Sequence, residues 1–322
     1  MAIGENSKAY LAIVVAMVSV SWASIFIKWS ESPPFIIAAY RLSFTCLLLL
    51  PFMVMSGGFR GIRRFDARDL ILILTSGVAL AFHFGLWIVS LTLTLVPTSA
   101  ILVTSHPLFV AAVSHFLLNE KVKRVAAFGI LIAFSGVIVI ALSDLGEGTD
   151  SLIGDLLAFV GGICAGIYFL SGRVARQKIS LGPYVFSVYG LSAVFLFVGA
   201  SVAGDSIIVT SMHEILLFLV MALVPSILGH TMLNYALKTV PAHVISTSVL
   251  AEPVGASILV FFLLPHEVPG AWIFLGGGLV ILGLYVVLTR GFENPRGGGE
   301  RASGSRNSSE RALDKEDDDD PQ

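Results

Sequence analysis

Few residues in this sequence can do chemistry, because apolar side chains make up 56% of it and Asp, Glu, Lys and Arg together only 13%. Glu252 and His106 stand out, since each lies inside a long apolar run and each is followed by a proline, Pro253 and Pro107. Each is about ten residues into its run, which at 1.5 Å per residue is about 15 Å, the middle of a hydrocarbon layer about 30 Å thick. An ionisable group there costs roughly 2.5–3.5 kcal/mol on insertion scales unless it finds a partner or water. The prolines cannot donate to the carbonyls four residues earlier, Val103 and Val249, which the sequence therefore leaves without their helical partners. Two freed carbonyls beside two titratable groups at one depth would suit the binding of a proton or a solute amine. The plainer reading is that the prolines kink two helices for packing and a neighbour satisfies Glu252.

Other polar groups fall at helical spacing. His83, Trp87 and Ser90 share one face at i, i+4 and i+7, where they could stack on and hydrogen-bond a solute, or be a packed histidine and an interfacial tryptophan. His230 and Asn234 stand at i and i+4, and Ser248 one turn before Glu252. Trp22 and Tyr168 are weaker candidates. Arg41 is hard to leave unpaired, and three roles stay open for it: a salt bridge to Glu252, snorkelling, or reception of an anionic group of the solute.

Chemistry of other kinds finds no motif. No Gly-rich loop ends in Gly-Lys-Ser/Thr, so no ATP site is expected. His213-Glu214 and His266-Glu267 lack the second histidine of a zinc-protease helix, and the acidic stretch Asp144 to Asp150 lacks calcium-loop spacing. Cys46 and Cys164 both lie in apolar runs and suggest neither a disulfide framework nor a metal cluster. No metal, no cofactor and no catalytic residue is expected. An intramembrane hydrolase or transferase built from His83, His106 and Glu252 is the remaining, weaker enzyme reading. The net charge of −2 leaves no basic stripe for a nucleic acid.

The elements that must position these groups are helices in a bilayer. A soluble surface carries about a quarter charged residues, twice what is available here. Ten apolar runs are each long enough for a span, at approximately 9–28, 34–55, 70–91, 96–118, 125–143, 152–171, 183–203, 214–236, 242–264 and 271–289, numbered below as helices 1 to 10. The fold class expected is an all-α integral membrane protein. Of the 20 Lys and Arg, all but Lys28 and Arg41 fall before helix 1, after an even-numbered helix or in the tail. Retention of such charges in the cytoplasm puts both termini there, in a multi-pass protein of the cell membrane. Residues 290–322 turn Gly-, Ser- and Asp-rich and are expected to form a disordered cytoplasmic tail. Met1 to Ser24 could pass for a cleaved signal peptide, but the repeat described next argues for a retained helix.

Residues 10–22 align with residues 156–168, and two halves offset by 146–147 positions follow from end to end. Leu11-Ala12 meets Leu157-Ala158, Trp22 meets Tyr168, Ser90-Leu91 meets Ala236-Leu237, Pro107 meets Pro253 and His106 meets Glu252. After one extra residue near Pro265, Glu120 meets Glu267 and Gly129 meets Gly276. Five helices per half is an odd number, so the halves should enter the membrane in opposite senses as an inverted repeat. Glu120 and Glu267 would then cap helices 4 and 9, or anchor the loops there, on opposite sides. Helices 5 and 10 carry glycines (Gly129, Gly136, Gly276, Gly277, Gly278, Gly283) rather than polar groups. They read as scaffold, or as the contact of a homodimer.

The runs Trp87-Ile-Val-Ser-Leu91, Thr98 to Phe109 and Leu117-Leu-Asn-Glu120, repeated as Gly229-His-Thr-Met-Leu-Asn234, Ala236-Leu237, Leu250-Ala-Glu-Pro-Val-Gly255 and Glu267, resemble an EamA-type member of the drug/metabolite transporter superfamily. The likeness covers residues 10–289, and the sequence departs from the pattern at Leu264-Pro265-His266-Glu267, where an extra residue delays the second glutamate. The resemblance implies two five-helix repeats, 8–143 and 152–289. It also implies a central cavity lined mainly by helices 1–4 and 6–9, and movement of a small metabolite. The expected function is a secondary transporter working by alternating access, as an exporter of an amino acid-like, nucleobase-like or amphiphilic amine solute, with protons as a possible coupling ion. A channel or facilitator is the alternative.

Overall fold

The computed structural model describes residues 5–118, 123–141, 149–264 and 271–290. Among them every regular element is a helix, and each expected run corresponds to a helical stretch. The stretches are α1 (Ser7–Lys28), α2 (Pro34–Met55), α3 (Ala67–Leu93), α4 (Val96–Val103 and Pro107–Leu117), α5 (Arg124–Ala141), α6 (Thr149–Arg176), α7 (Leu181–Ala203), α8 (Met212–Ala236), α9 (Ala242–Leu263) and α10 (Ala271–Arg290). Seven of them, α1, α2, α3, α6, α7, α8 and α9, are long and apolar enough to cross a membrane. The expected capping residues Glu120 and Glu267, the loop from Asp144 to Glu147 and the tail beyond Arg290 lie outside the described residues.

Local chemistry explains most boundaries. Pro33 and Pro34 open α2, where a missing N–H costs nothing, and Gly57 closes it at φ 67°, a backbone angle that favours glycine. Asp66 and Asp69 open α3 as a capping box: the Asp69 N–H donates to Asp66 Oδ1 at 2.8 Å and the Asp66 N–H to Asp69 Oδ2 at 3.2 Å. Ser211 caps α8 by accepting the Glu214 N–H at 3.4 Å. Both α3 and α6 run longer than their apolar cores, at 27 and 28 residues.

The helices pack in pairs. α3 lies antiparallel to α6, with Leu93 against Gly154 and Trp87 against Gly161. α2 lies antiparallel to α7, Phe35 resting on Gly199 and Met53 on Gly182. α1 packs on α8 through Val20 and Gly229, and α5 on α10 through Gly129 and Gly283. The outward faces carry large apolar side chains such as Leu11, Val14 and Val18 of α1, Leu70 and Leu74 of α3, and Phe261 and Phe262 of α9. A water-soluble monomer does not expose apolar surface on this scale, and lipid is the solvent that accepts it.

The helices are not uniform. α1 breaks at Ser21–Trp22, whose Ser21 hydroxyl donates to the Met17 carbonyl at 2.8 Å and fills the space beside Gly255. α4 breaks at Thr104–His106 and α9 at Val249–Leu250, each just before its proline. The Val249 carbonyl is not free as the sequence predicts, because the chain turns so that the Glu252 N–H donates to it at 2.8 Å. In α8, Ala222–Thr231 is a π-helix. Pro225 lacks the N–H that would reach the Met221 carbonyl, and the Ser226 hydroxyl supplies that bond at 3.1 Å. The Thr231 hydroxyl closes the next wide turn on the Ser226 carbonyl at 3.1 Å.

Gly129 of α5 and Gly283 of α10 are used inside the chain. A side chain at Gly283 would place its Cβ 2.4 Å from the Gly129 carbonyl oxygen and 2.5 Å from the Ala133 nitrogen, both backbone atoms, whereas Gly278 has open space. Gly283→Val should therefore destabilise the detergent-purified protein by about 1–3 kcal/mol, read as a lowered midpoint of thermal unfolding. Gly278→Ala should match or exceed wild type, and a Gly283→Val protein as stable as wild type would show this contact to be looser than described.

Candidate functional site

Both prolines that interrupt α4 and α9 place a titratable residue at the wall of one buried cavity. It is lined by His83 and Trp87 of α3, Val103, Thr104 and His106 of α4, Ala165 and Phe169 of α6, His230 and Leu233 of α8, and Val249 and Glu252 of α9, with Val20 and Ala23 of α1 closing it. About 20 Å³ is open inside, enough for a single water but not for a metabolite, whose sites are usually about 300–1,000 Å³. The site is shut, and a solute can enter only if the helices part.

The polar groups are held in two tiers. In the wall, the His83 and Trp87 rings stack with centroids 6.0 Å apart and 6° between planes. His83 Nδ1 is 3.1 Å from the Gly161 carbonyl. A carbonyl only accepts, so Nδ1 carries the proton and a neutral ring presents Nε2 as an acceptor. His106 Nδ1 is 2.6 Å from the Ser246 hydroxyl of α9, a bond that ties the two interrupted helices together. His230 lies 6.2 Å from His83, centroid to centroid. The Glu252 carboxylate takes no hydrogen bond from any described residue, and Trp87 Nε1 and His230 Nδ1 are buried without partners. A carboxyl group and an indole whose N–H has no partner among the described residues thus line the same small space.

Behind the wall sits Arg41, fully buried. Its Nε donates to the Ser226 hydroxyl at 2.8 Å and its guanidinium carbon lies 4.3 Å from the centroid of the Phe84 ring. Phe84 in turn meets His230 edge to face at 5.1 Å. Both terminal nitrogens, Nη1 and Nη2, are without partners among the described residues, and no described carboxylate forms a salt bridge with Arg41, although its charge acts on Glu252. The π-helix of α8 serves both tiers, since it aims Ser226 at Arg41 and carries His230 to the cavity.

The remaining candidates are bonded around the cavity rather than in its wall. The Ser90 hydroxyl donates to the Trp87 carbonyl at 2.6 Å and lies 2.6 Å from the Ser99 hydroxyl, joining α3 to α4. The Asn234 amide donates to the Tyr168 hydroxyl, with the two in short contact, and to the His230 carbonyl at 2.7 Å. Ser248 bonds back to the Val244 carbonyl at 2.9 Å, and Trp22 stacks on Phe26 at 5.6 Å. Sequence reasoning did not single out Thr104, Phe169, Ser226 or Ser246. Ser226 follows Pro225 inside an apolar run, a signal that the sequence does carry; Ser246 is 140 positions from the histidine it bonds. Among the described residues no cluster of His, Cys, Asp and Glu could hold a metal ion, and Cys46 and Cys164 are unpaired.

The chain is 26% identical over 294 residues to the uncharacterized transporter YetK of Bacillus subtilis, covering 88% of this chain and 87% of that protein. It is 26% identical over 293 residues to an uncharacterized transporter of Archaeoglobus fulgidus, covering 86% and 98%. An uncharacterized transporter of Clostridium kluyveri matches at 25% over 188 residues, 56% of this chain and 59% of that protein. A solved structure described as "Crystal structure of protein" superposes with a TM-score of 0.72 over 89% of this chain and 100% of that one. At 17% identity it speaks for the fold alone. Residues 7–142 and 152–289 each match the EamA-like transporter family, and a multi-pass helical protein matched over both halves belongs to that family of membrane transporters.

Proposed function

We propose that this transporter moves an amino acid-like solute by alternating access between two inverted five-helix halves, as an exporter in the cell membrane with both termini in the cytoplasm. The single observation that carries the reading is the shut cavity walled by His106 and Glu252, one from the interrupted helix of each half. The helix pairs support the inverted arrangement: exchanging α1–α5 for α6–α10 turns the pair α1/α8 into α6/α3 and returns α2/α7 and α5/α10 to themselves. An acid and a base with unused bonding capacity, the Glu252 carboxyl at the wall and the Arg41 guanidinium behind Phe84, favour a zwitterion over a nucleobase or a simple amine. Glu252 would take the solute ammonium or a driving proton, and Arg41 the carboxylate once Phe84 and His230 move aside.

Counterflow of radiolabelled amino acids in proteoliposomes tests the reading. Saturable exchange is expected, whereas currents proportional to voltage without saturation would indicate a channel instead. Glu252→Gln should lower exchange driven by a pH gradient by about tenfold or more, a loss of ~1.4 kcal/mol or more, and a wild-type rate would remove Glu252 from the mechanism.

Arg41→Met separates function from stability. Replacing a buried, incompletely bonded charge by an apolar side chain of similar length is often neutral or stabilising, so thermal unfolding should occur at or above the wild-type temperature while exchange of zwitterions is lost. An Arg41→Met protein that exchanges zwitterions normally would sink the carboxylate role.

A further inference from the structure

Away from the cavity, two carboxylates fasten the halves of the chain to each other, one at each end of α2. At the Met55 end, the Lys178 ammonium in the α6–α7 connection donates to Asp69 Oδ2 at 2.7 Å and to Asp66 Oδ2 at 2.8 Å, both at the start of α3. Asp69 is buried, whereas Lys178 and Asp66 are exposed, and the bond from Lys178 holds the Asp66 carboxyl below its ordinary range. At the Pro34 end, the Glu214 carboxylate at the start of α8 is buried and accepts three bonds from the α1–α2 connection. They come from the Ser32 hydroxyl at 2.7 Å, the Glu31 N–H at 3.0 Å and, in short contact, the Ser30 hydroxyl. The 22 residues of α2 separate these contacts, about 33 Å at 1.5 Å per residue.

The two contacts are the same device built twice. Asp69 and Glu214 both occupy the third position of their helices, behind the N-caps Asp66 and Ser211, and both pairs stand 145 positions apart. Their partners Ser32 and Lys178 stand 146 positions apart, the offset of the repeat. In each case a carboxylate of one half holds a connection of the other, so neither end can spread without breaking its contact.

We propose that these contacts are alternating latches: the cavity opens towards the Lys178 end when Asp69 releases Lys178, and towards the Ser32 end when Glu214 releases Ser30 and Ser32. Both are fastened in the structure, which accounts for the shut cavity. The inference rests on the proposed alternating access.

The test labels Thr104→Cys, in the cavity wall, in a full-length Cys46→Ala/Cys164→Ala background, using a membrane-impermeant maleimide applied to vesicles of each orientation. With both latches intact, labelling should be slow from either face. Lys178→Met, at an exposed connection, should speed labelling about fivefold or more from the Lys178 face alone, by raising the population open to that side. Ser30→Ala/Ser32→Ala should do so from the other face alone. Equal acceleration from both faces, or none, in protein that still elutes as one species would overturn the latches. Should either loop variant fail to fold, Lys178→Gln or Glu214→Gln replaces it with the same side-specific expectation. Amino-acid counterflow measured in parallel tells the two proposals apart. Counterflow without side-specific labelling removes the latches only, and side-specific labelling without counterflow removes the solute reading only.

Discussion

Lipid offers no hydrogen bonds, so every polar group in the middle of this bundle must be satisfied by the protein itself. Most are. Ser90 bonds within α3 and to α4, Asn234 reaches α6, Ser192 donates to the Gly77 carbonyl at 2.8 Å, and Tyr184 to Ser76 at 3.0 Å. Against that background the exceptions carry meaning. Among the described residues Trp87 Nε1, His230 Nδ1 and the two terminal nitrogens of Arg41 are buried without partners, and none donates a hydrogen bond to the Glu252 carboxyl. Each unpaired group costs about 1–3 kcal/mol, more when charged. Trp87 and His230 line the cavity with Glu252, while Asn234 Oδ1 and the hydroxyls of Ser24, Thr98, Ser114 and Ser257 are unpartnered elsewhere among the described residues.

The same constraint explains where the backbone departs from the α-helix. Irregular backbone survives at this depth only where it is buried in protein or lines a cavity, and the breaks in α1, α4 and α9 and the π-helix of α8 all surround the site. Close approach does the rest. Gly162 of α6 lies against the Val103 carbonyl, where a Cβ would come within 2.6 Å, and Gly255 leaves room for the Ser21 hydroxyl. The π-helix also reconciles the register of the repeat: the starts of α3 and α8 are 145 positions apart, whereas Ser90 and Ala236 are 146 apart. One residue more in α8 is what a turn closed by i→i+5 bonds accommodates.

How much of this is legible in the sequence depends on whether the cause is local. α2 is expected at 34–55 and lies at Pro34–Met55, because prolines and glycines bound it on either side. The breaks in α4 and α9 follow from Pro107 and Pro253, and depth within an apolar run is enough to single out His106 and Glu252. The break in α1 is not legible, since it depends on space left by Gly255 more than 200 positions away. Nor are the partners of Arg41 and His106, Ser226 and Ser246, separated from them by 185 and 140 positions. Glu214 carries no local signal of its role, because beside His213 it reads only as an incomplete zinc motif. Periodicity reports which face of a helix is apolar; which helix meets that face is decided by packing between halves.

The two proposed latches differ in strength. A carrier must visit two states that differ by a few kcal/mol at most, or one would hold the solute and never release it. The ion pair of the exposed Lys178 is screened by water and salt and holds weakly, whereas the buried Glu214 carboxylate accepts three bonds, each worth about 1.5–3 kcal/mol net to a charged acceptor. Each contact would bias its end towards closure, and the Lys178 contact is the easier of the two to break. The deep apolar packing of α3 on α6 and of α2 on α7 would resist independent movement far more, so it is the ends of the helices, rather than the pairs themselves, that are built to part.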